Sequence, residues 1–242
     1  MSARASQAPR RRTQLNDSLL RAWRASVPTE EWRAFDEATM RRECASQLDF
    51  GARRRRHQTL LRVIGAPPGA DASYSVIELI VEDMPFLVDT LSMTLAQLSL
   101  SAHTMVHPVL RLWRDGSGNV KSLEAEIDAR DAQGGVRESW QYWRIDRISD
   151  STDCEHLRRR LLAALVDVRH ACGDWMRMRN AVLKLCADIS RNPPPLMADV
   201  IAESRSLLQY MENHHFTFLG YRESRIAAGA RGPVLADLEQ PG

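Results

Sequence analysis

The stretch YSVIELIV (74–81) constrains the fold of this chain more than any other. It is rich in β-branched residues and apolar on both faces of an extended chain, so it reads as a central, buried strand. The sequence around it changes period on either side. Upstream, from Leu15 to Leu61, the pattern is helical: Leu19, Trp23, Trp32, Phe35 and Met40 recur at helix-like intervals, and Pro28 with Glu30 and Glu31 marks a helix start. Between the two regimes lies APPGAD (66–71), a linker by composition, and a domain boundary is placed there. Residues 1–13 lack apolar periodicity and read as a disordered leader. The Arg-rich, acid-poor composition of 1–24 fits a transit peptide equally well.

Downstream, EDMPFLVDT (82–90) leads into Leu87, Leu91, Leu95 and Leu98, the spacing of an amphipathic helix. HTMVHPVLRLWRD (103–115) is a strand whose Pro108 donates no ladder hydrogen bond, which predicts a sheet edge or a bulge. DGSGN (115–119) is a hairpin turn, followed by a polar stretch and a second turn at QGG (133–135). ESWQYWRID (138–146) alternates as a strand. TDCE (152–155) has the form of a capping box and opens a helix with Leu157, Leu161, Leu165 and Val168 on one face. After a break at Gly173 the helical pattern continues to Ile189 and stops at NPPP (192–195). A further helix carries Met197, Val200, Ile201, Leu208 and Met211. HFTFLGYRE (215–223) reads as a strand with Phe216 and Phe218 on one face, and the last 18 residues read as a module cut short.

The order strand, helix, strand, strand, helix predicts an α+β chain with a ferredoxin-like βαββαβ unit. Its final strand is not evident: either the unit stays open or the 215–223 strand closes it. The expected organisation is a leader (1–13), a basic helical head (14–65), the βαββα unit (72–170), a helical connector (171–213) and the start of a second strand-containing module (214–242).

Composition narrows the function classes. No apolar run reaches the roughly 18 residues that span a bilayer, and the N-terminus has no apolar core of a secretion signal, so a cytoplasmic protein is expected. Four scattered cysteines without a CxxC pair suit a reducing compartment better than a disulfide scaffold or a zinc site. Residues 1–70 carry a net charge of +7 and the remainder −5, a basic head on an acidic body.

The chemistry-bearing patterns are few. GSGNVK (116–121) has two glycines where a dinucleotide or phosphate loop needs more, and it joins two strands rather than a strand to a helix. His103 and His107 lie four apart on a strand, roughly 13 Å, too far for one metal ion, and the adjacent His214 and His215 point to opposite faces of a strand. There is no GxSxG elbow, and the cysteines sit in amphipathic helical patterns as buried thiols do. No catalytic, cofactor-binding or metal residue is assigned. The RRRR run (53–56) is a solvated helix face, a contact with the acidic body, or a site for phosphate or nucleic acid; the aromatics that stack bases are missing beside it. In EDMPFLVDT, Asp83 sits where an N-cap would and Pro85 fits the first helical turn. The same junction presents helix N–H groups to a small ligand. Asp83, Met84, Pro85, Phe86, Leu87 and Val88 are therefore the candidate effector or packing residues.

Five phrases in order, VEDMPFLVDTL, HTMVHPVLRLWRDGSG, ESWQYWRIDRI, LVDVRHACGDWMRM and ENHHFTFLGYRE, resemble the N-terminal segment of the large bacterial NAD-specific glutamate dehydrogenases. The resemblance covers about residues 75–223. It implies an ACT-like regulatory unit at the front of a longer chain, with the catalytic domain downstream. The parent reaction it implies is L-glutamate, NAD and water to 2-oxoglutarate, ammonia and NADH. The segment itself would be non-catalytic, regulatory or assembly-related, would form a homo-oligomer with edge pairing through 103–113 as one mode, and would bind NAD only through the parent enzyme. A stand-alone ACT-like amino-acid sensor is the alternative. ACT modules that bind amino acids usually carry Asp-x-Pro-Gly at this junction. Here Phe86 stands in the glycine's place, and a phenylalanine filling the pocket favours packing over binding.

Overall fold

A computed structural model describes residues 3–33, 35–66, 73–125, 134–229 and 232–237. Most of the APPGAD linker, Gln133 and residues 238–242 lie outside these. The chain divides into two units, residues 1–166 and 167–242.

The first unit opens with three helices, α1 (Ala3–Ala25), α2 (Thr29–Arg33) and α3 (Glu37–Gly51), the last capped by Asp36, whose carboxylate accepts the Thr39 N–H at 2.8 Å. Regular structure thus reaches into the expected leader. Arg12 pairs with Asp49 at 2.6 Å and Arg11 donates to the carbonyls of Val120 and Lys121. These basic residues are tied down because acceptors lie within reach.

Six strands follow: β1 (Leu60–Ile64), β2 (Tyr74–Glu82), β3 (Ala102–Val106), β4 (Val109–Arg114), β5 (Val120–Ala125) and β6 (Val136–Asp146). They form one antiparallel sheet in the order β1-β2-β6-β4-β5, with β3 also paired to β6. YSVIELIV is central, as its composition predicts. Its neighbour β1 was expected to belong to a helical run. Instead it occupies the edge position that the last strand of a βαββαβ unit would take, so the unit is closed from in front rather than from 215–223. The two strands that the turn at 115–119 was expected to join are β4 and β5; VKSLEA is half polar because, as the outer strand of a hairpin, it covers only one face.

Pro108 lies between β3 and β4, and its carbonyl still accepts the Trp140 N–H at 3.1 Å. The break lets one continuous stretch pair twice with β6. Its second half, β4, is not an edge, since β5 covers it; β3 pairs with β6 alone among the described strands.

Alternation along β2 and β6 feeds two cores. Val76, Ile80, Trp140 and Tyr142 pack with Leu19, Trp23, Met40, Cys44 and Leu48 of α1 and α3. Ile77, Leu79, Val81, Trp143 and Ile145 pack on the other face with Leu87, Leu91 and Leu95 of α4 (Leu87–Gln97) and Leu157, Leu161 and Leu165 of α5 (Ser151–Arg191). Burying each such side chain contributes about 1.5–3 kcal/mol. The head is therefore a helical layer of the same unit, and the expected boundary at 66–71 does not divide two cores. Trp23 Nε1 donates to Gln47, which donates to the Gln141 carbonyl at 2.9 Å, locking the layers together inside the first core.

Helix α5 starts differently from the expected capping box: Asp150 accepts the Thr152 N–H at 2.6 Å, while Glu155 binds Arg158. It passes Gly173 unbroken. In the second unit α6 (Ala198–Tyr210) buries none of its residues, and a π-helical turn (Met211–His215) follows. The strand expected at 215–223 lies further on, as the hairpin of β7 (Ser224–Gly229) and β8 (Gly232–Asp237). His215 stacks on Tyr210 and Phe218 packs on Trp175, aromatic contacts that hold this stretch without a ladder.

Candidate functional site

The junction 83–88 leaves the sheet beside β6. The Asp83 N–H donates to the Arg137 carbonyl at 3.0 Å, extending the ladder by one bond, and its carboxylate meets the Arg137 guanidinium at 2.9 Å. Asp83 is thus engaged across the sheet and does not cap α4. The N-cap position belongs to Phe86, which makes no side-chain cap and sits in the left-handed region at φ 68°. Its carbonyl accepts the Thr90 N–H at 2.9 Å, the first bond of the helix. Leaving an extended strand and entering a helix within four residues requires this reversal, which glycine makes at least cost and an L-residue makes at about 1–2 kcal/mol.

Phe86 thus adopts a backbone conformation that favours glycine. The residue is 46% exposed. Met84 and Val88 are half-buried against the second core, Leu87 is buried in it, and Pro85 is exposed.

Two residues not foreseen join the junction. His107 bonds Ser139 Oγ at 2.8 Å; burial pushes its basicity down, and the Asp83 carboxylate pulls it partly back. Ser139 also accepts from Gln141, whose side-chain carbonyl accepts the Trp143 indole N–H at 3.0 Å. His107 therefore ends a polar chain of Ser139, Gln141 and Trp143 and feels the charge of Asp83. Sequence spacing linked His107 to His103, but His103 turns to Asp146 at 2.8 Å.

The remaining candidates take structural places. Arg54 of the RRRR run is buried and contacts Glu138 at 2.9 Å, and Arg53 donates to the Ser117 carbonyl. The contact with the acidic body is the reading realised for these two. Burial pushes the Cys44 thiol up to about 12 and raises Cys154 and Cys172, which opposes thiolate chemistry. Among the described residues no three His, Cys, Asp or Glu side chains gather to hold a metal ion.

The glycine turn at 116–118 connects β4 to β5. Asp115 accepts the N–H groups of Ser117 and Asn119 there, and a Cβ on Gly118 would lie 2.5 Å from the Arg54 carbonyl oxygen. Its close-approach face is filled by the chain's own backbone, so these residues do not form a dinucleotide cradle.

The sequence pattern described as glutamate dehydrogenase, ACT1 domain, matches residues 19–161, from α1 into α5. The chain belongs to this family. The match takes in the helical layer together with the sheet, as the shared core does. This ACT1 domain chain is 31% identical over 166 residues to the NAD-specific glutamate dehydrogenase of Pseudomonas aeruginosa, covering 68% of this chain and 10% of that protein. It is 30% identical over 162 residues to the NAD-specific glutamate dehydrogenase of Halomonas elongata, covering 65% of this chain and 10% of that protein. The ACT1 domain chain thus spans about a tenth of the length of these curated relatives.

Proposed function

We propose that this chain is the non-catalytic regulatory and assembly segment at the front of an NAD-dependent glutamate dehydrogenase. The parent enzyme would convert L-glutamate, NAD and water to 2-oxoglutarate, ammonia and NADH, with the catalytic domain downstream in the same polypeptide and NAD bound only there. The observation that carries the reading is the extent of the match: an ACT1 domain at 19–161 in a chain that covers a tenth of NAD-specific relatives. No helix among the described residues is long and apolar enough to cross a membrane, and all four cysteines are free thiols, which supports a reducing, cytoplasmic setting.

Within this reading the 83–88 junction receives a small effector, through the Asp83–Arg137 pair and the first turn of α4, and the unit assembles as a homo-oligomer. Two measurements test it. The purified chain should reduce no NAD in the presence of L-glutamate; turnover would overturn the non-catalytic assignment. Calorimetry with L-glutamate and L-aspartate should give saturable heat that Asp83→Ala abolishes; no heat from either leaves the junction without an effector.

A further inference from the structure

We infer that the turn between α3 and β1, RRRRH (53–57), is a docking surface for an acidic peptide segment of a protein partner, with Arg55 and Arg56 as the residues that take it. The run divides by position. Arg54 is buried beneath the turn, bonded to Glu138 at 2.9 Å and to the Gln58 carbonyl at 2.8 Å. Arg53 donates to the Ser117 carbonyl. Arg55 and Arg56 are exposed, and among the described residues neither guanidinium has a hydrogen bond, an ion pair or a ring contact. The carboxylates around the turn are already engaged: Glu138 with Arg54 and Arg114, Glu82 with the His57 ring at 3.0 Å, Asp49 with Arg12, and Asp115 with Lys121 at 3.0 Å. Two adjacent cations are thus left without a counter-charge from the fold, a local field that attracts an outside anion.

The turn is fixed before any partner arrives. The Arg54 N–H donates to the Gly118 carbonyl at 3.0 Å, which ties the turn to the β4–β5 hairpin. Arg55 and Gln58 bond each other twice: the Gln58 N–H donates to the Arg55 carbonyl at 3.1 Å, and the Gln58 side-chain oxygen accepts the Arg55 N–H at 2.9 Å. His57 stands in the left-handed region at φ 61°, and the Glu82 carboxylate accepts its N–H at 3.2 Å. An L-residue persists in that region where its surroundings hold it there. The two arginines therefore stand on a rigid frame, and little backbone freedom is lost on docking.

The chemistry of the turn selects the partner. A guanidinium presents paired N–H donors that match a carboxylate or a phosphate. Duplex nucleic acid is held by about 6–10 phosphate contacts, far more than two free cations supply, and the turn carries no aromatic on which a single strand would stack. A lone phosphate ion would meet exposed guanidiniums in water, where each contact is weak. Two carboxylates on one peptide are held better, because the first contact brings the second to high effective concentration. The surface shares no residue with the 83–88 junction and does not depend on the regulatory reading.

The test is fluorescence anisotropy of a labelled oligoglutamate peptide titrated with the 242-residue chain at about 0.1 M salt, where charges more than about 10 Å apart are screened from each other. An oligoglutamine of equal length, a single-stranded DNA oligonucleotide of equal charge and inorganic phosphate as competitor run beside it. Oligoglutamate should bind saturably and oligoglutamine should not. The double variant Arg55→Gln, Arg56→Gln should weaken binding about tenfold or more, the scale of two lost charge-assisted contacts. Neither side chain is bonded, so this variant keeps the fold. The pair Arg177→Gln, Arg191→Gln removes the same charge from exposed positions on α5 and should change binding little. No saturable signal from oligoglutamate overturns the proposal, as does an equal loss in the α5 pair, which would reduce the effect to net charge. Oligonucleotide binding as tight as the peptide's and lost in the same double variant overturns it in favour of nucleic acid. Phosphate that displaces the peptide at the peptide's own concentration overturns it in favour of a small-anion site.

Discussion

Arg54 and Glu138 meet at 2.9 Å inside the protein, the arginine 2% and the glutamate 0% exposed. Arg114 completes the set with two bonds to the same carboxylate at 2.7 and 2.8 Å, and the Trp140 indole adds a fourth donor. Removing Arg54 takes one charge-assisted donor from Glu138 and leaves the carboxylate paired with Arg114. Arg54→Ala is expected to cost about 1.5–3 kcal/mol, read as a lowered urea midpoint followed by tryptophan fluorescence. A loss below about 1 kcal/mol, the scale of an exposed pair, would refute the buried arrangement.

Two glutamates on this sheet respond to pH in opposite senses. Burial pushes Glu138 up, but Arg114 and Arg54 outweigh it and hold the carboxyl below its ordinary value of 4.5. Its contribution to stability is complete above that value and is lost as pH falls through the depressed one. For Glu78 burial wins over Arg62 and the carboxyl stays above 4.5, so its ionised form at neutral pH opposes folding. Glu138→Gln should therefore be strongly destabilising at pH 7 and progressively less so in acid. Glu78→Gln should be neutral or stabilising at pH 7, since Arg62, partly exposed, keeps its bonds to Ser46. Denaturation midpoints of both variants across pH 3–7 decide it; parallel curves would contradict the assignment.

The same substitution at two helical glycines should act with opposite sign. A Cβ on Gly51 would lie 2.3 Å from the Trp140 ring and 2.6 Å from Ile80 Cδ1, both in the first core. Gly51→Ala should cost about 1–3 kcal/mol through overpacking. Gly173, on α5, has nothing within 4 Å of an added Cβ. Gly173→Ala should stabilise the helix by about 0.5–1 kcal/mol. Thermal melts of the two variants compare the signs directly.

Phe86→Gly removes an L-residue held in the left-handed region and 46% exposed. Relief of the backbone conformation, about 1–2 kcal/mol, is set against the partial apolar burial that is lost, so the net change is expected to stay within about 1 kcal/mol and to favour the variant. A lower melting temperature in this variant would mean that the ring is packed more firmly than its exposure indicates.

The central strand, the α4 leucines, the hairpin at 115–119 and the leucine face of α5 were legible because each is a local pattern with its own period or turn chemistry. The place of the head was not. Leu60–Ile64 reads as the end of a helical run until β2 offers it a ladder, and strand pairing is a contact between distant segments that no window of sequence contains. The junction shows the same division. EDMPFLVDT marked the strand-to-helix turn, yet Asp83 looked like a cap because its partner Arg137 lies 54 positions away, and His107 entered only when β6 brought Ser139 beside it.

By itself, the sequence determined the central strand at 74–81 and the amphipathic faces of α4 and α5, because side-chain period follows from backbone geometry alone. The tertiary structure decided that the basic head is a layer on the sheet, that Arg54 lies inside with Glu138, and that Phe86 stands in a glycine's conformation. Those outcomes depend on which faces are left to cover and which charges are left to pair once the sheet has closed.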